Sequence, residues 1–445
     1  MLSDYASANG EELWNTTRLQ AYLTNVGSPF DTGPDICTCP SLTPEVLGAT
    51  VPYTTPDAAV EPAPWYDPAV PESAEFLGFM PLTVGGTEDN PRRRSVSTAV
   101  GGGGVFGPMR EQPRSITVSG VLIGATCCGA QYGQRYLAEA LGGCAGNVCD
   151  GGCFEMYSCC PDEGMTPAQF NAAYRRTFRR TALVSGPDET GRRSTGNCAR
   201  SNCAAGAELI EVEFVLVAAN PWAWTDPIPV LEVTPPIGGT GDCIDWCVSG
   251  QLTGDNGCDP STCLFQNCTA AGDLCGDPRN TVPRPPQPKV PIGSFCAPLG
   301  PERDCYDIDL STRPQWATDA PLIQIYSGAD PLRNIRVTLY AKPAGTTDTC
   351  DQVADKNLCT PTQDFTVTYV PPRTVLTLDG ALGRATVDCD GDCRSASTAY
   401  GNQDGGPVRV SELDCATYCV CIETDTEYPP AADSLVSISV LGKGY

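Results

Sequence analysis

Histidine is absent from this 445-residue sequence. That absence excludes catalytic triads and general acid–base pairs that depend on an imidazole. Lysine and arginine together number 28, against 53 aspartates and glutamates, which gives a net charge of −25. Because affinity for nucleic acids comes largely from Lys and Arg displacing counterions from phosphates, this balance argues against a specific nucleic-acid-binding surface.

Targeting and membrane-spanning segments are also missing from the sequence. The N-terminal stretch MLSDYASANGEELW has no basic region followed by an apolar one, so no secretory signal peptide is expected. No apolar run approaches the ~20 residues that span a bilayer, so membrane insertion is not expected.

Cysteine is abundant, with 26 residues, yet no Cys-x-x-Cys pair occurs. Zinc ribbons and knuckles favour that spacing and often use histidine, so disulfides that staple loops are the preferred interpretation, with zinc at the cysteine clusters as the alternative. Without a signal peptide, such a chain would be oxidised after leaving the cytoplasm by a route other than secretion. The disulfide candidates are Cys127, Cys128, Cys144, Cys149, Cys153, Cys159, Cys160, Cys198, Cys203, Cys243, Cys247, Cys258, Cys263, Cys268, Cys275, Cys389, Cys393, Cys415, Cys419 and Cys421.

The composition predicts a mainly β protein. Charged residues make up only 18%, and short alternating segments recur between the 46 glycines and 41 prolines. This pattern favours two β-sandwich domains, the first with one or two short helices. The expected division is an N-terminal domain over 1–235 that includes a cysteine-rich loop at 144–160, a Cys/Pro-rich insertion or linker over 236–310, and a C-terminal sandwich over 311–445.

Within the N-terminal domain, the patterns predict three strands and two helices. The strands cover 114–124, 178–185 and 208–219, and alternating apolar residues give the first and the third a core face. One helix covers 132–141, and a second opens at TPAQ, where Thr166 is the N-cap and Gln169 completes a capping box. Residues 1–110 are expected to be loop-rich, and Gly101 to Gly104 to form a flexible break.

The stretch FVLVAANPWAWTDP ends a strand abruptly. Pro221 cannot donate to a β-ladder, so it is expected to end the pairing at the rim of a sheet. Trp222 and Trp224 then either close the end of the core or meet a neighbouring subunit.

Arginines occur in clusters along the sequence. These clusters lie either on solvent-exposed faces or at sites of ion pairing between subunits. The subunit-interface candidates are Trp65, Arg175, Arg176, Arg179, Arg180, Trp222 and Trp224.

The C-terminal part is predicted to be purely β. Short alternating segments include PLIQIYSG, LRNIRVTLYA, DFTVTYVP, RTVLTLDG, GRATVDC and SLVSISVLG. Asp379-Gly380 is a turn signal between two of them. In VDCDGDC three aspartates alternate, but the positions that an EF-hand loop requires hold Cys393 and Ala399, so a disulfide-closed acidic turn is preferred to a calcium site.

Catalysis is poorly supported, and no catalytic or cofactor-binding residue is assigned. Acidic pairs such as Glu72 with Glu75, or Asp188 with Glu189, would suit a glycosidase only if they converged in a cleft. Tyrosines of the C-terminal domain, namely Tyr326, Tyr340 and Tyr369, would stack on sugar rings if exposed, although a place in the core or in a cross-strand pair is the simpler interpretation.

Three stretches, in this order, resemble distal tail proteins, which are minor tail proteins of long-tailed phages, particularly phages of actinobacteria. They are APWYDPAVPESAEFLG, the strand that ends in ANPWAWTDP, and TVTYVPPRTVLTLDG followed by GRATVDC. The resemblance implies that the N-terminal domain forms a ring and that the C-terminal domain is a galectin-like or jelly-roll sandwich.

The resemblance further implies a homohexameric structural protein at the distal end of the virion tail. The ring would join the tail tube to the tail-tip hub, contact the tape measure and other minor tail proteins, and leave a channel for DNA. Assembly in the host cytoplasm and release by lysis would reconcile the cysteines with the missing signal peptide, and an acidic channel wall would repel DNA phosphates. The alternative is a receptor-binding tail protein whose sandwich binds host-envelope carbohydrate.

Overall fold

The structure, a computed structural model, describes residues 1–28, 39, 41–48, 53, 62–142, 152–194, 207–237, 243–247, 294–298, 302–314, 318–358, 360–389, 392–401, 405–425 and 428–444. It is mainly β, with antiparallel sheets arranged in two bodies. Within the described residues, no helix is both long and apolar enough to cross a membrane.

The N-terminal body contains twelve described strands. They are β1 (Tyr5–Ala8), β2 (Glu11–Asn15), β3 (Phe76–Gly85), β4 (Arg92–Arg93), β5 (Val96–Thr98), β6 (Gly104–Phe106), β7 (Arg110–Glu111), β8 (Arg114–Gly124), β9 (Gly152–Tyr157), β10 (Arg175–Ser194), β11 (Glu208–Ala218) and β12 (Ala223–Trp224). Its helices are α1 (Thr16–Asn25), α2 (Cys127–Gly142), α3 (Pro167–Tyr174) and a 3₁₀ helix (Pro71–Glu75).

Strand β10 builds both layers of this body because it bends at Arg180, whose φ is 55°. Its first part pairs with β9 and β12, and its second part pairs with β11, which continues through β8 to β3. The layers enclose one aromatic core. Trp14 of β2 lies 5.9 Å from Phe154 of β9 and 5.5 Å from Phe79 of β3, measured between ring centroids.

The helices close this core, and their sequences explain their positions. Asn15 caps α1 by accepting a hydrogen bond from the Arg18 backbone N–H at 3.2 Å. The predicted capping box at Thr166 and Gln169 is confirmed at the start of α3. Helix α2 lies against the Phe76 ring, and a Cβ at Gly133 would come within 2.1 Å of that ring, so only glycine fits there.

The C-terminal body is a sandwich of two sheets. The described strands that follow the N-terminal body, including the separate pair β14 and β15, are β13 (Ile228–Val233), β14 (Cys243–Cys247), β15 (Ser294–Pro298), β16 (Glu302–Asp309), β17 (Asp319–Tyr326), β18 (Leu332–Ala341), β19 (Gln363–Val370), β20 (Val375–Asp379), β21 (Arg384–Cys389), β22 (Asp392–Ser395), β23 (Ala399–Tyr400), β24 (Thr417–Thr424) and β25 (Leu435–Gly444). Helix α4 (Cys350–Lys356) packs on β24 and β16.

One sheet has the order β13-β25-β17-β20-β21-β22, and the other has the order β16-β24-β18-β19-β23. Their inner faces meet in a core that includes Ile325 and Ile438 from the first sheet and Val337 and Val420 from the second. Strands β13 and β16 belong to this sandwich although they lie outside the expected range of 311–445. Of the expected insertion over 236–310, the described pieces include β14 and β15, which pair with each other.

The six C-terminal segments predicted as strands correspond to β17, β18, β19, β20, β21 and β25. In the N-terminal body, the strands predicted at 114–124 and 208–219 correspond to β8 and β11, and their predicted core faces are buried. Asp379 begins the predicted turn, where its side chain accepts hydrogen bonds from the backbone N–H groups of Ala381 and Leu382.

The described part of residues 1–110 contains helix α1 and strands β1 to β6 together with long irregular segments, in keeping with the loop-rich prediction. One expectation for the N-terminal body is corrected by the structure. Gly101 to Gly104 form the tip of a β-hairpin, where Gly102 and Gly103 have φ values of 91° and 82° that glycine adopts without strain.

Candidate functional site

The two tryptophans that follow β11 lie in a junction between the two bodies. We define the junction as Trp222, Trp224, Ala320, Leu322 and Leu441, which form one buried cluster. Trp222 and Trp224 expose only 4% and 3% of their surfaces. Both rings are therefore shielded from water by this chain alone.

Asn220 organises the turn that brings both tryptophans into the junction. Its side-chain oxygen accepts hydrogen bonds from the Trp222 backbone N–H at 3.3 Å and from Trp224 Nε1 at 3.2 Å. Its amide nitrogen donates to the Ala381 carbonyl of the C-terminal body at 2.6 Å. The β11 ladder ends at Ala218, before Pro221, and Asn220 fixes the direction of the chain into β12.

Strand β12 joins the sheets of the two bodies. On one side Ala223 pairs with Phe178 of β10, and on the other side it pairs with Gly444 of β25. The ladder is extended by Thr225, whose backbone N–H donates to the Gly442 carbonyl at 3.0 Å and whose hydroxyl accepts from Gly442 N at 2.8 Å. Backbone hydrogen bonds therefore run from one body into the other.

Charged groups surround the junction. Arg179 of β10 forms an ion pair with Asp379 of the C-terminal body, and both side chains are largely buried. Lys443 lies 4.1 Å from the centre of the Trp222 ring, and Arg92 lies 5.0 Å from it. These contacts are favourable because the ring face is electron-rich.

The other predicted arginines differ in what they contact. Arg175 Nε donates to Asp226 at 2.8 Å, so its charge is compensated within the chain. Arg176 donates to the Arg175 carbonyl at 2.7 Å, and burial lowers the pKa of its guanidinium. Arg180 is exposed at the bend of β10 and remains a candidate for contact with a neighbour.

Trp65 lies in the N-terminal core, where its Nε1 donates to the Phe76 carbonyl at 2.8 Å. It is thus another predicted interface residue that this chain buries by itself. Contact of Trp65, Trp222, Trp224 or the arginines with a second subunit stays a prediction, because one chain is described.

A hairpin projects between β3 and β8, and we name residues 92–111 the arm. Strands β4 and β7 pair at its base, and β5 and β6 pair toward its tip. Its apolar side chains are exposed, with 61% of Val105 and 68% of Phe106 accessible. The arm carries four arginines and one glutamate, so it is basic in a chain whose net charge is −25.

The base of the arm is fixed to the rest of the molecule by a buried arginine. Arg114, which begins β8, donates to the carbonyls of Thr87 at 2.6 Å and of Pro221 at 2.6 Å. Burial lowers the pKa of this guanidinium. The strand before the arm, the strand after it and the turn into the junction therefore meet at one side chain.

Three disulfides join described cysteines: Cys39–Cys160, Cys305–Cys421 and Cys350–Cys419. Cys127 is also disulfide-bonded. Of the candidates, Cys160, Cys419, Cys421 and Cys127 are therefore oxidised, whereas Cys39, Cys305 and Cys350 were missed. Their partners lie far away in the sequence, so local spacing gave no signal.

The remaining cysteine candidates have other placements. Cys128, Cys159 and Cys415 are thiols, whereas Cys419, four residues after Cys415, is bonded to Cys350. Cys153 is half-buried on β9. The side chains of Cys243, Cys247, Cys389 and Cys393 are not described, and Cys144, Cys149, Cys198, Cys203, Cys258, Cys263, Cys268 and Cys275 lie outside the described residues.

One trio of described residues has its ligand atoms close enough to hold a metal ion, namely Asp307, Cys350 and Cys419. The two sulfur atoms of this trio are bonded to each other, so no thiolate is available there for zinc. Zinc at the other cysteine clusters stays the alternative prediction.

The acidic pairs considered for glycoside hydrolysis have structural contacts. Glu75 accepts a hydrogen bond from the Thr126 hydroxyl near the start of α2. Glu189 accepts from Arg192 at 2.8 Å, and this pairing lowers the pKa of Glu189. A carboxyl group that donates a proton to a leaving group needs a raised pKa, so Glu189 does not fit that role.

The tyrosines considered for sugar stacking differ in burial. Tyr340 is buried against the Cys350–Cys419 disulfide region, as the simpler interpretation expects. Tyr326 and Tyr369 are half-buried at the ends of β17 and β19. Tyr428, which the sequence did not single out, is exposed close to Tyr369, since both rings lie near the guanidinium of Arg333.

Comparison with known proteins gives distant structural likenesses. No family model and no curated protein matches the chain. The crystal structure of the Dit (gp 19.1) protein of phage SPP1, described as a paradigm of hub adsorption apparatus in phages that infect Gram-positive hosts, is similar over 81% of this chain and 92% of that chain, with 9% identity and a TM-score of 0.35. Activated baseplates of phage p2 with Sr and with Ca are similar over 82% of this chain and 90% of those chains, with 8% and 7% identity and a TM-score of 0.36.

Proposed function

We propose that this chain is a structural subunit of a phage tail tip that assembles with copies of itself into a closed hexameric ring. The ring joins the tail tube to the tail-tip hub, contacts the tape measure and other minor tail proteins, and performs no reaction. Its place is the distal end of the virion tail. The ordered resemblance to distal tail proteins supports this assignment, and the role requires no cofactor.

The observation that carries the proposal is the arm. Val96, Val105, Phe106 and Met109 are exposed along a projecting hairpin that buries little of its own surface. Exposed apolar side chains concentrated on one projecting element mark an interaction site rather than part of a finished monomer surface. Burial of Val105 and Phe106 alone would contribute about 1.5–3 kcal/mol each to association.

The charge of the arm favours a second copy as its partner. A basic element is attracted to another chain of the same composition, since that chain carries a net charge of −25. The arm of one subunit and a separate acidic patch of the next form a head-to-tail contact, which closes into a ring. The remaining acidic surface includes the channel wall, where it repels DNA phosphates.

The junction supports a mechanical role. Because β12 carries backbone hydrogen bonds from one body to the other, and Arg179 and Asn220 add side-chain contacts, the two bodies are held in one orientation. A ring that fixes the position of neighbouring tail proteins needs this property, since displacement of either body would displace its partners.

The test compares the oligomeric mass of three proteins by size-exclusion chromatography with light scattering. The wild-type chain should form hexamers, whereas the double variant Val105→Ser with Phe106→Ser should be mainly monomeric. The control is Leu358→Ser, which removes an exposed apolar side chain of the C-terminal body and should leave the hexamer intact. A monomeric wild-type chain, or a double variant that assembles as well as the control, would refute the proposal.

A further inference from the structure

Strands β10, β11, β8 and β3 form a sheet with one face in the aromatic core and the other face toward solvent. On β11, Val212 and Phe214 are buried in that core, so the residues that alternate with them point to the opposite side. Val184 lies in the bulge of β10 that precedes Ser185, the partner of Val215, and it exposes 64% of its surface. We name this side the acidic face and define it as Val184, Asp188, Glu213, Val215 and Val217.

Two carboxylates lie directly opposite each other on the acidic face, and we name them the acidic pair. Asp188 of β10 pairs with Glu213 of β11 in the ladder, and both residues are exposed. Side chains at directly opposite positions have Cβ atoms about 5 Å apart, so two like charges there repel each other. Among the residues that the structure describes, no Lys or Arg forms an ion pair with either carboxylate, and Arg193 of β10 pairs instead with Glu211 at 3.0 Å.

Other carboxylates on the surface are compensated within the chain. In the C-terminal body, Asp355 forms an ion pair with Arg303 at 2.6 Å. Asp348 forms one with Lys356, also at 2.6 Å. The acidic pair differs from these carboxylates because its charge is left for a partner outside the chain.

The arm carries the complementary arrangement. Arg93 and Arg110 lie directly opposite each other in the β4–β7 ladder, and both are exposed. We name them the arginine pair, and no carboxylate in the described part of the chain forms an ion pair with either guanidinium. Toward the tip, Val96 and Phe106 are also directly opposite each other, and they expose 62% and 68% of their surfaces. The arm and the acidic face therefore each present two uncompensated like charges beside exposed apolar side chains.

We propose that the arm of one subunit packs on the acidic face of the next, with the arginine pair against the acidic pair. This inference rests on the ring proposed above and names the surface that receives the arm. Each pair is repulsive within its own chain, whereas the contact brings opposite charges together at matched spacing, because both pairs have the same ladder geometry. Phe106 of the arm then covers Val184 and Val215, which removes apolar surface of both subunits from water.

The placement of the two surfaces favours a second copy as the occupant. The arm emerges between β3 and β8, whereas the acidic pair lies on β10 and β11. Because the arm and the acidic face are separate patches of one chain, their contact is head-to-tail and repeats from subunit to subunit until a ring closes. The acidic pair repels an anionic partner such as DNA.

The experiment reverses the charges of each pair in the full-length protein and measures the oligomeric mass by light scattering. The face variant is Asp188→Arg with Glu213→Arg, and the arm variant is Arg93→Glu with Arg110→Glu. Each variant alone sets like charges against each other at every contact, so its association should weaken by about a hundredfold or more. An equimolar mixture of the two variants should form hexamers again, because each chain then has neighbours of opposite charge at both of its contacts.

The matched control is Glu232→Arg with Asp330→Arg. It reverses two exposed carboxylates of the C-terminal body, changes the net charge as much as the face variant does, and should stay hexameric. Circular dichroism checks that each variant is folded. The neutral variant Asp188→Asn with Glu213→Gln provides a second test, since it should weaken the ring and make assembly less sensitive to NaCl.

The outcomes separate this inference from the ring itself. If the wild type is hexameric and both reversal variants and the neutral variant assemble equally well, the acidic face receives some other partner and the inference is overturned while the ring stands. If the folded reversal variants are monomeric and their mixture stays monomeric, the two pairs do not meet and the inference is overturned as well. A monomeric wild type refutes the ring.

Discussion

Truncation of Trp224 to alanine should separate the two bodies without unfolding either one. The ring of Trp224 is 3% exposed, packs in the junction with Leu322 and Leu441, and donates a hydrogen bond to Asn220. Removal of such a buried side chain costs about 3–5 kcal/mol, because transfer energy is lost and a cavity remains. This free energy is lost mainly from the contacts between the two bodies, because β12 pairs with β10 of one body and with β25 of the other.

Hydrogen–deuterium exchange measures this loss at particular strands. A cost of about 3 kcal/mol or more corresponds to an increase of about a hundredfold or more in the opening equilibrium of the affected amides. Faster exchange should appear in β12 and in the parts of β10 and β25 that pair with it. Amides of β18 and β19, in the far sheet of the C-terminal sandwich, should exchange at the wild-type rate.

The matched control is Trp65→Ala, which truncates another buried tryptophan in the core of the N-terminal body. That variant should speed exchange in the N-terminal body but leave the C-terminal end of β25 protected. If Trp224→Ala gave the same pattern as Trp65→Ala, or accelerated exchange uniformly in both bodies, the junction would not act as a separate coupling element and the reasoning would fail.

Two further predictions concern sulfur and pH. Replacement of Cys350 and Cys419 together by serine should lower the free energy of unfolding by about 4 kcal/mol, because this disulfide closes a long loop. Denaturant melts of the variant are compared with those of oxidised and reduced wild type. Equal stability of wild type and variant under oxidising conditions would contradict the prediction. Burial, with the Glu12 carboxylate beside it, raises the pKa of Tyr5 from 10.0 to about 12. Between about pH 10 and 12 the unfolded chain loses the phenolic proton while the folded protein keeps it, so the free energy of unfolding should fall as pH rises. Tyr5→Phe should make this decrease with pH smaller. Equal pH dependence in wild type and variant would show that Tyr5 does not contribute.

The strands of both bodies were predictable where apolar alternation was uninterrupted, as in β8, β11 and β18. Prediction failed where tertiary contacts overrode local signals. Strand β10 continues through Gly186 and Pro187, which indicate a turn, because bulges absorb the irregular residues while pairing with β11 continues. Helix α2 begins at Cys127, before its predicted start, and two glycines that weaken a helix allow close packing there: Gly129 lies against Glu75 and Gly133 against Phe76.

In the C-terminal body, cysteines concealed strand β24 and its disulfide partners. Strand β24 was missed because its Cys419 and Cys421 were interpreted as loop staples, whereas both are buried within a central strand. Their partners lie 69 and 116 residues away in the sequence, so only the folded topology brings them together. Helix α1 of the N-terminal body has a signal in the sequence that the prediction did not use: Asn15 caps it, and Leu19 and Leu23 lie four residues apart on its buried face.

The arm could not be predicted in full. The three successive arginines at its base and the glycines at its tip were noticed separately, but antiparallel pairing is what makes them one hairpin. The contact of Tyr428 with Arg333 could not be predicted either, because Tyr428 lies in a segment without periodicity and reaches Arg333 only through the return of the chain from β24 to β25.

The position of β25 along the chain has a consequence for synthesis. This strand pairs with β12, β13 and β17, so a ribosome makes it after all of its partners. Until Leu435–Gly444 emerges, β12 lacks its second neighbour and the indole rings beside it lack Leu441. A chain truncated before β25 would leave the rings of Trp222 and Trp224 exposed to solvent. Chaperones and proteases that recognise exposed apolar side chains would then remove such incomplete products before assembly.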